Sequence, residues 1–392
     1  AGTTGRPKGC ILTHSNFVEL TRNAARAIPE VVNTQSSTLL FITTAHIFAR
    51  FISVLCIHGG VQVGHQADTK QLLPAMASFK PTFLLAVPRV FEKVYNSSEQ
   101  KAESGGKGKI FRRAAAVAIA HSKALDAGNM TLLLTLQFAV FDRLVLSKIR
   151  AAMGGNVSFA VSGSAPLGLR LGHFYRSLGI TILEGYGLTE TTAPISVGRP
   201  SNFKIGKVGP PLPGVSVRIA EDGEIQAKGI NIFAGYWQNP EETAKVFDGE
   251  WFTTGDIGEF TPDGFLKITD RKKDILVLAN GKKVAPQPIE NMLKRSALLT
   301  EVVLLGDGAG TVGALVVPNF DALKTWAKEQ GKDLKTNEAL TTDLGARKFI
   351  KSEIDKLSKD LADFEKIKRI ALIGHAFSQE GGELTPTLKV KR

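Results

Sequence analysis

Five consecutive residues, Tyr186 to Glu190, carry side chains that could hold a nucleotide, its phosphate and a metal ion. Tyr186 supplies an aromatic face, Gly187 a backbone turn, Thr189 a hydroxyl and Glu190 a carboxylate. Carboxylate and phosphate oxygens are the ligands that Mg²⁺ prefers. A Thr followed by Glu is also common at helix starts that have no chemical role. The interpretation of this pentad therefore depends on the motifs around it.

A glycine-rich loop opens the chain and could bind phosphate. Its glycines let the backbone come close to phosphate oxygens, and its hydroxyl and basic side chains add donors and positive charge. Lys8 is followed by Gly9 and not by Ser or Thr, so the loop differs from the Walker pattern. A surface turn is the alternative. The candidate phosphate-binding residues are Gly2, Thr3, Thr4, Gly5 and Lys8.

The elements that must position these residues alternate between short apolar strands and amphipathic helices. The predicted strands cover 39–43, 82–87, 157–161 and 181–183, and the predicted helices cover 16–27, 110–125, 131–153 and 169–178. Ser15 is the expected cap of the first helix, and Asn96 to Lys109 is an expected exposed loop. Such alternation predicts an α/β fold with a helix-covered sheet. Ligands of these sheets bind beyond the carboxyl ends of strands, where Ser162 to Pro166 and Gly185 to Glu190 fall.

The sequence pattern changes at Val208. Short strand-like runs with Pro, Asp and Gly turns predict a small antiparallel β subdomain over about 208–269. From Asp270 onward, strand-like and helical patterns are mixed, which indicates a separate small α+β domain over 270–392.

Composition narrows the class of protein. The chain has 392 residues, of which 43% are hydrophobic, so it is globular and long enough for two or three lobes. Cys10 and Cys56 cannot form a disulfide framework, and no Cys or His spacing indicates a metal site. The net charge of +12 favours phosphate-rich ligands or an anionic membrane surface. No nucleic-acid-binding motif accompanies that charge, so nucleic acid is not an expected partner.

The start of the chain and its longest apolar run suggest neither a signal peptide nor a membrane span. Ala1 to Gly9 lacks the apolar core of a signal peptide. The apolar run from Met130 to Leu146 contains Gln137, Asp142 and Arg143 and is too short to cross a bilayer. We expect a cytoplasmic protein that contacts a membrane at its cytoplasmic face. Because a phosphate loop normally follows a strand, we also expect that an upstream half-domain is missing.

Six motifs occur in the order and approximate spacing of the acyl-adenylate-forming enzyme superfamily, and the chain most resembles its long-chain fatty acyl-CoA synthetases. The motifs are GTTGRPKG, SGSAPL, EGYGLTE, TTGD, DRKKD and LTPTLKVKR. The resemblance implies a large adenylation domain over 1–269, N-terminally incomplete, and a mobile C-terminal domain over 270–392 with a hinge at Asp270. Departures from the family pattern are modest: Glu250 is inserted before Trp251, and Thr253 stands where His is common.

The resemblance implies roles for individual residues. Tyr186 would pack against adenine, Thr189 would hydrogen-bond the α-phosphate, and Glu190 would hold Mg²⁺. Asp256 would accept both ribose hydroxyls, with Arg271 beside it. The remaining residues expected along the nucleotide are Gly163, Ser164, Ala165, Glu184, Gly185 and Gly187.

Lys389 resembles the lysine that contacts the reacting carboxylate and the α-phosphate. Leu388 precedes it where many family members have Gly, a departure that long-chain synthetases share. A solvated basic tail is the alternative. His46 resembles a residue bordering the acyl site, and a hydrogen-bonded packing residue is its alternative. Gly281 would approach the channel for pantetheine.

The implied activity is that of an AMP-forming long-chain fatty acid–CoA ligase that uses ATP, Mg²⁺ and coenzyme A, with Lys389, Thr189 and Glu190 as catalytic residues. Two alternatives stay open. The chain could activate another carboxylic acid or transfer it to a carrier protein, or it could be a non-catalytic fragment that binds an acyl nucleotide. The chain length of the fatty acid and the oligomeric state do not follow from the sequence.

Overall fold

A computed structural model describes residues 8–68, 71–378, 380–384 and 390. Contacts divide the described residues into two units: 8–254 with 259–268, and 255–258 with the chain from 269 onward. The helices are α1 (His14–Ala27), α2 (Ile47–Gly59), α3 (Leu72–Phe79), α4 (Pro88–Ser104), α5 (Gly108–Ala127), α6 (Leu132–Phe141), α7 (Ser147–Ala152), α8 (Leu169–Ser177), α9 (Pro240–Ala244), α10 (Pro286–Leu293), α11 (Phe320–Glu329), α12 (Asn337–Thr342) and α13 (Leu344–Leu357). The strands are β1 (Ser37–Leu40), β2 (Gln62–His65), β3 (Phe83–Ala86), β4 (Phe159–Ser162), β5 (Thr181–Leu188), β6 (Ala193–Val197), β7 (Val215–Ile219), β8 (Glu224–Gly229), β9 (Phe247–Asp248), β10 (Trp251–Phe260), β11 (Leu266–Arg271), β12 (Leu276–Val277), β13 (Lys283–Val284), β14 (Leu299–Leu305), β15 (Val312–Pro318) and β16 (Ile367–Leu372).

The first unit is built on a six-stranded sheet with the order β2-β1-β3-β4-β5-β6. The first five strands are parallel, and β6 runs antiparallel to β5. Alternate residues of β1, β3, β4 and β5 enter different hydrophobic clusters. Phe83 and Leu85 join one cluster with α1 and α2, whereas Leu84 and Ala86 join another with α4, α5 and α8. The predicted α/β sheet covered by helices is therefore confirmed, because apolar side chains leave both faces of the strands.

A smaller sheet has the order β11-β10-β8-β7, with β9 paired to β10. Val215 to Ile219 of β7 pair antiparallel with β8, in agreement with the antiparallel subdomain predicted from the hairpin turns.

The second unit has its own core. Strands β14 and β15 are antiparallel, and β16 pairs parallel with β15. Residues from α10, α11, α12 and α13 complete this cluster, among them Ile289, Leu323, Leu340 and Ile350. A separate two-stranded hairpin is formed by β12 and β13.

Two local predictions were wrong. The cap of α1 is Thr13 and not Ser15: the Asn16 backbone N–H donates to Thr13 Oγ1 at 3.2 Å, and Asn16 Oδ1 accepts from Thr13 N at 2.9 Å. The loop expected from Asn96 is helical as far as Ser104. Its polar residues continue α4, whose apolar face is already anchored by buried side chains near its start, and tertiary packing outweighs their weak helix preference.

The end of β5 also differs from the expected turn. The strand runs through Tyr186 and Gly187 to Leu188, because these residues pair with β6. The reversal comes later, in a 3₁₀ turn over Thr189–Thr191. A Cβ atom built on Gly187 would lie 1.5 Å from the carbonyl oxygen of Ala193. Gly187 is therefore required for close approach of the two strands and not for a turn.

Within the described ranges, no helix has both the length and the apolar character that crossing a bilayer requires.

We expect Gly187→Ala to lower the free energy of unfolding by about 3 kcal/mol or more, because the added methyl group would overlap the Ala193 carbonyl and push β6 away from β5. Urea unfolding followed by tryptophan fluorescence measures this loss. Gly310→Ala is the matched control, since a Cβ built there meets no described atom within 4 Å. Equal losses in the two variants would contradict the close-approach argument.

Candidate active site

Strands β4 and β5 are neighbours in the sheet and bring two predicted motifs together. Ser162, the last residue of β4, lies opposite Glu184 of β5 in parallel register. Strand β4 ends at Ser162, whereas β5 continues past that point to Leu188. Gly163 to Ala165 and Gly185 to Glu190 therefore lie at the same edge of the sheet. This is the edge at which ligands of parallel sheets bind.

The backbone after β4 packs tightly against its neighbours. A Cβ atom on Gly163 would lie 3.3 Å from Phe48 Cζ and 3.5 Å from the Gly185 carbonyl oxygen. Ser164 has a φ of 71°, in the left-handed region that a non-glycine residue seldom occupies. Ser162 Oγ is buried and has no hydrogen-bond partner among the residues that the structure describes. Backbone strain and an unsatisfied hydroxyl at one strand end are typical of a functional site.

Glu184 holds two loops in place. Its Oε2 accepts from Leu167 N at 3.2 Å, and its Oε1 accepts from Gly206 N at 2.8 Å. Burial raises the pKa of this carboxyl, and the two N–H donors act in the opposite direction. Because both oxygens bind backbone amides, the geometry favours a positioning role for Glu184, and its predicted contact with the nucleotide stays a prediction.

The turn between β5 and β6 is strained and well anchored. Thr192 and Ala193 have φ values of 54° and 86°. Thr191 Oγ1 accepts from Leu188 N at 2.9 Å and donates to Ala193 O at 2.8 Å. Thr192 Oγ1 donates to Asn231 O at 2.9 Å. These bonds hold the backbone that carries Thr189 and Glu190.

Glu190 meets a residue that the sequence did not single out. The hydroxyl of Tyr236 donates to Glu190 Oε1 at 2.8 Å, and the Glu190 carbonyl oxygen accepts from Phe233 N at 2.8 Å. Burial and the neighbouring Glu190 carboxylate raise the pKa of the Tyr236 hydroxyl, so it stays a donor. The phenol therefore orients the predicted metal ligand.

Lys8 belongs to the same cluster. Its ammonium pairs with the Glu242 carboxylate and lies 4.9 Å from the centre of the Tyr236 ring. Hydrogen bonding to Lys245 and Lys8 lowers the pKa of Glu242 to about 2. Lys8, Tyr236 and Glu190 thus join the end of the glycine-rich loop to the pentad, as a common nucleotide site requires.

The thiol pKa of Cys10 depends on the charge of this cluster. It forms a β-bridge with Tyr236. Burial, followed by the negative charge of Glu190, raises the pKa of its thiol to about 11.

The predicted residues of the second unit form a local group. Arg271 Nε lies 3.0 Å from Oδ1 of the buried Asp256. Asp270 accepts from Arg271 N at 2.7 Å and from Gln287 N at 3.1 Å. Because Gln287 is in the first turn of α10, where amides lack helix partners, Asp270 acts as a cap for that helix. Gly281 has a φ of 76° between β12 and β13.

The other predicted residues fall into three groups. Tyr186 is buried in β5, opposite Ser196 of β6. His46 caps α2, where its Nδ1 accepts from Phe48 N at 3.3 Å, and its predicted place at the acyl site stays a prediction. Five residues lie outside the described part of the chain: Gly2, Thr3, Thr4, Gly5 and Lys389.

Sequence reasoning missed Tyr236, Glu242 and Phe48. Tyr236 lies in a Gly-Tyr-Trp segment, and Glu242 lies in helix α9, which follows it. Neither residue has a sequence spacing that indicates a functional role. Only tertiary contact connects them with Glu190 and Lys8.

The described residues contain no group of three or more His, Cys, Asp or Glu that could hold a metal ion.

Curated relatives align with the whole chain. It is 46% identical over 396 residues to long-chain-fatty-acid–CoA ligase FadD15 of Mycobacterium bovis, and the match covers 100% of this chain and 66% of the relative. It is 33% identical over 416 residues to long chain acyl-CoA synthetase 3 of Arabidopsis thaliana, covering 100% of this chain and 62% of the relative. The chain thus spans slightly less than two thirds of the length of these relatives.

A solved structure shares the fold. The adenylation domain of a carboxylate reductase from Mycobacterium chelonae aligns with a TM-score of 0.73 and 23% identity, covering 100% of this chain and 56% of that one.

Family patterns account for most of the sequence. The pattern of the AMP-binding enzyme family matches residues 1–237, and that of the AMP-binding enzyme C-terminal domain matches residues 273–391. The resemblance drawn from the six ordered motifs is confirmed, and the chain belongs to the AMP-binding enzymes.

Proposed function

We propose that this chain is the main part of an AMP-forming long-chain fatty acid–CoA ligase. The observation that supports the proposal is the cluster of Lys8, Tyr236 and Glu190, which connects Lys8, the last predicted residue of the phosphate loop, with the pentad at the carboxyl edge of a parallel sheet. The names of the curated relatives supply the substrate class.

The first step would activate the acid. A fatty carboxylate oxygen attacks the α-phosphorus of ATP, a new acyl–oxygen–phosphorus bond forms, and the bond to pyrophosphate breaks. Both reactants are anionic, so cations and hydroxyl donors must offset the charge. We assign this task to Lys389, Thr189 and the glycine-rich loop with Lys8. Tyr186 would lie against adenine, and Asp256 with Arg271 would bind the ribose.

Magnesium fits the residues present. Mg²⁺ in proteins often takes one or two carboxylates together with substrate phosphates. Glu190 offers a carboxylate oriented by Tyr236, and the phosphates of ATP would complete the ligand set. When bound, the ion would neutralise phosphate charge.

The second step would transfer the acyl group. The sulfur of coenzyme A attacks the acyl carbon, AMP leaves, and the thiol proton is released. We propose that the second unit turns about the backbone at Asp270 between the steps, withdrawing Lys389. The carboxylate of Asp270 is bound to Arg271 N and Gln287 N, both in the second unit, and this supports a pivot at that residue. Gly281 would then approach pantetheine.

Contact with a membrane surface is part of the proposal, because the fatty substrate dissolves poorly in water and the chain carries a net charge of +12.

The proposal predicts ATP-dependent formation of acyl-CoA, with long-chain fatty acids preferred over aryl and amino acids. Pyrophosphate exchange and thioester formation are measured over fatty acids of increasing length, with this chain and with a form extended to the length of its relatives. Lys389→Ala should abolish adenylation in whichever form is active. Exchange driven only by non-fatty acids, or full activity of Lys389→Ala, would overturn the assignment.

We expect Tyr236→Phe to raise the Mg²⁺ concentration needed for half-maximal pyrophosphate exchange on the order of tenfold, because the hydrogen bond that orients Glu190 is lost. Tyr175→Phe is the control. It removes a buried hydroxyl that donates to the Phe91 carbonyl at 2.7 Å in the core, so it should reduce stability without changing the Mg²⁺ requirement. The same Mg²⁺ requirement in Tyr236→Phe and the unmodified protein would contradict the positioning role.

Glu190→Gln should lower the pKa of the Cys10 thiol from about 11, since a nearby negative charge that disfavours the thiolate is removed. The rate of Cys10 alkylation against pH, read by mass spectrometry, should shift its midpoint to lower pH. Cys56 is the internal control, because burial alone raises its pKa to about 12. An unchanged Cys10 profile in Glu190→Gln would refute the electrostatic coupling.

A further inference from the structure

Helix α6 presents an apolar stripe to solvent. None of its residues is buried. Five large apolar side chains along α6 and the π-helical turn after it are 52–78% exposed: Leu132, Leu133, Leu136, Val140 and Leu144. Most are spaced four residues apart and therefore share one side of the helix. We call these five residues the α6 stripe.

The opposite side of α6 is held by α5. The ring of His121 stacks on that of Phe138, with centroids 3.9 Å apart and an interplanar angle of 10°. These residues are equally far from the connection at 128–131, so α5 and α6 form an antiparallel helical hairpin. The α6 stripe is therefore the outward face of a hairpin whose inward face is already packed.

The hairpin is strongly basic. Residues 108–152 contain seven basic side chains, Lys109, Arg112, Arg113, Lys123, Arg143, Lys148 and Arg150, against two acidic ones, Asp126 and Asp142. Both acids are already paired, Asp126 with Arg176 and Asp142 with Arg150.

The exposed cations gather at one end of the hairpin. Arg143 and Lys148 are exposed just beyond α6, and Lys148 continues the line of Val140 and Leu144 four residues on. Because the helices are antiparallel, exposed Lys109 and Arg113 near the start of α5 lie at this same end. An apolar stripe beside a cluster of cations matches the lipid tails and headgroups of an anionic bilayer surface.

We infer that the α6 stripe and its neighbouring cations form a docking surface for an anionic lipid bilayer. A second copy docking through the same surface would bring like charges together. The inference rests on the proposed function only in that it gives a location to the membrane contact. Vesicle binding is measured without catalysis, so the docking inference and the proposed function can fail separately.

The test is cosedimentation of the protein, in its longest available form, with vesicles of phosphatidylcholine with or without phosphatidylserine. We expect binding to the anionic vesicles that weakens with added salt. Arg143→Gln with Lys148→Gln should reduce the partition coefficient by about tenfold or more. Leu132→Gln, Leu136→Gln and Val140→Gln together should abolish binding. Leu344→Gln, at a side chain that is 71% exposed in the second unit, should leave it unchanged.

Single substitutions test the same surface independently, in case the triple variant does not fold. Brominated lipid in anionic vesicles should quench the fluorescence of the tryptophan introduced by Leu136→Trp. It should not quench that of the tryptophan introduced by Leu344→Trp. The inference is overturned if the unmodified protein does not bind the vesicles, or if the stripe variants bind as well as it does. It is also overturned if Leu136→Trp is not quenched, or if the triple variant changes only the oligomeric state.

Discussion

The close approach of β6 to β5 at Gly187 is the constraint on which the site depends. No side chain can stand between Gly187 and the carbonyl oxygen of Ala193, since even a methyl carbon would lie 1.5 Å from that oxygen. With the strands in contact, the chain must reverse within a few residues. The left-handed backbone at Thr192 and Ala193 achieves this reversal, and the bonds of Thr191 and Thr192 hold it. Glu190 is presented at this turn because the reversal begins there.

The reversal brings together groups that are far apart in the sequence. Tyr236 reaches Glu190 from 46 residues away, and Lys8 reaches Glu242 across 234 residues. The positive charge of Lys8 lies next to a hydrogen-bonded phenol and two carboxylates. Binding of a polyphosphate would add negative charge to this cluster, so Lys8 would have to exchange Glu242 for phosphate or hold both. The Lys8–Glu242 pair, whose side chains are each about one third exposed, is suited to such an exchange, since exposed pairs contribute little stability.

The α5–α6 hairpin differs from the candidate site in that it exposes apolar side chains. Helix α5 buries apolar side chains against α4 and α8, whereas α6 leaves leucines in water beside cations. The α6 stripe does not cover the sheet, because α4, α5 and α8 already pack against that face of the strands. An exposed apolar surface of this extent normally marks an interaction surface. The α6 stripe and the Glu190 cluster thus occupy separate parts of the first unit.

The sequence alone determined the α/β class, the order of the motifs, the antiparallel subdomain and the family, because strand and helix periodicity and short ordered motifs are local properties. The roles of Tyr186, Thr189 and Glu190 were predicted in the same way and stay predictions. The tertiary structure decided the role of Gly187, the helical continuation of α4 through Ser104, the cap at Thr13 and the contact of Tyr236 with Glu190. Each of these depends on which distant backbone or side chain lies within a few ångströms. Periodicity cannot report such distances, because it records only which face of an element is apolar and not what packs against it.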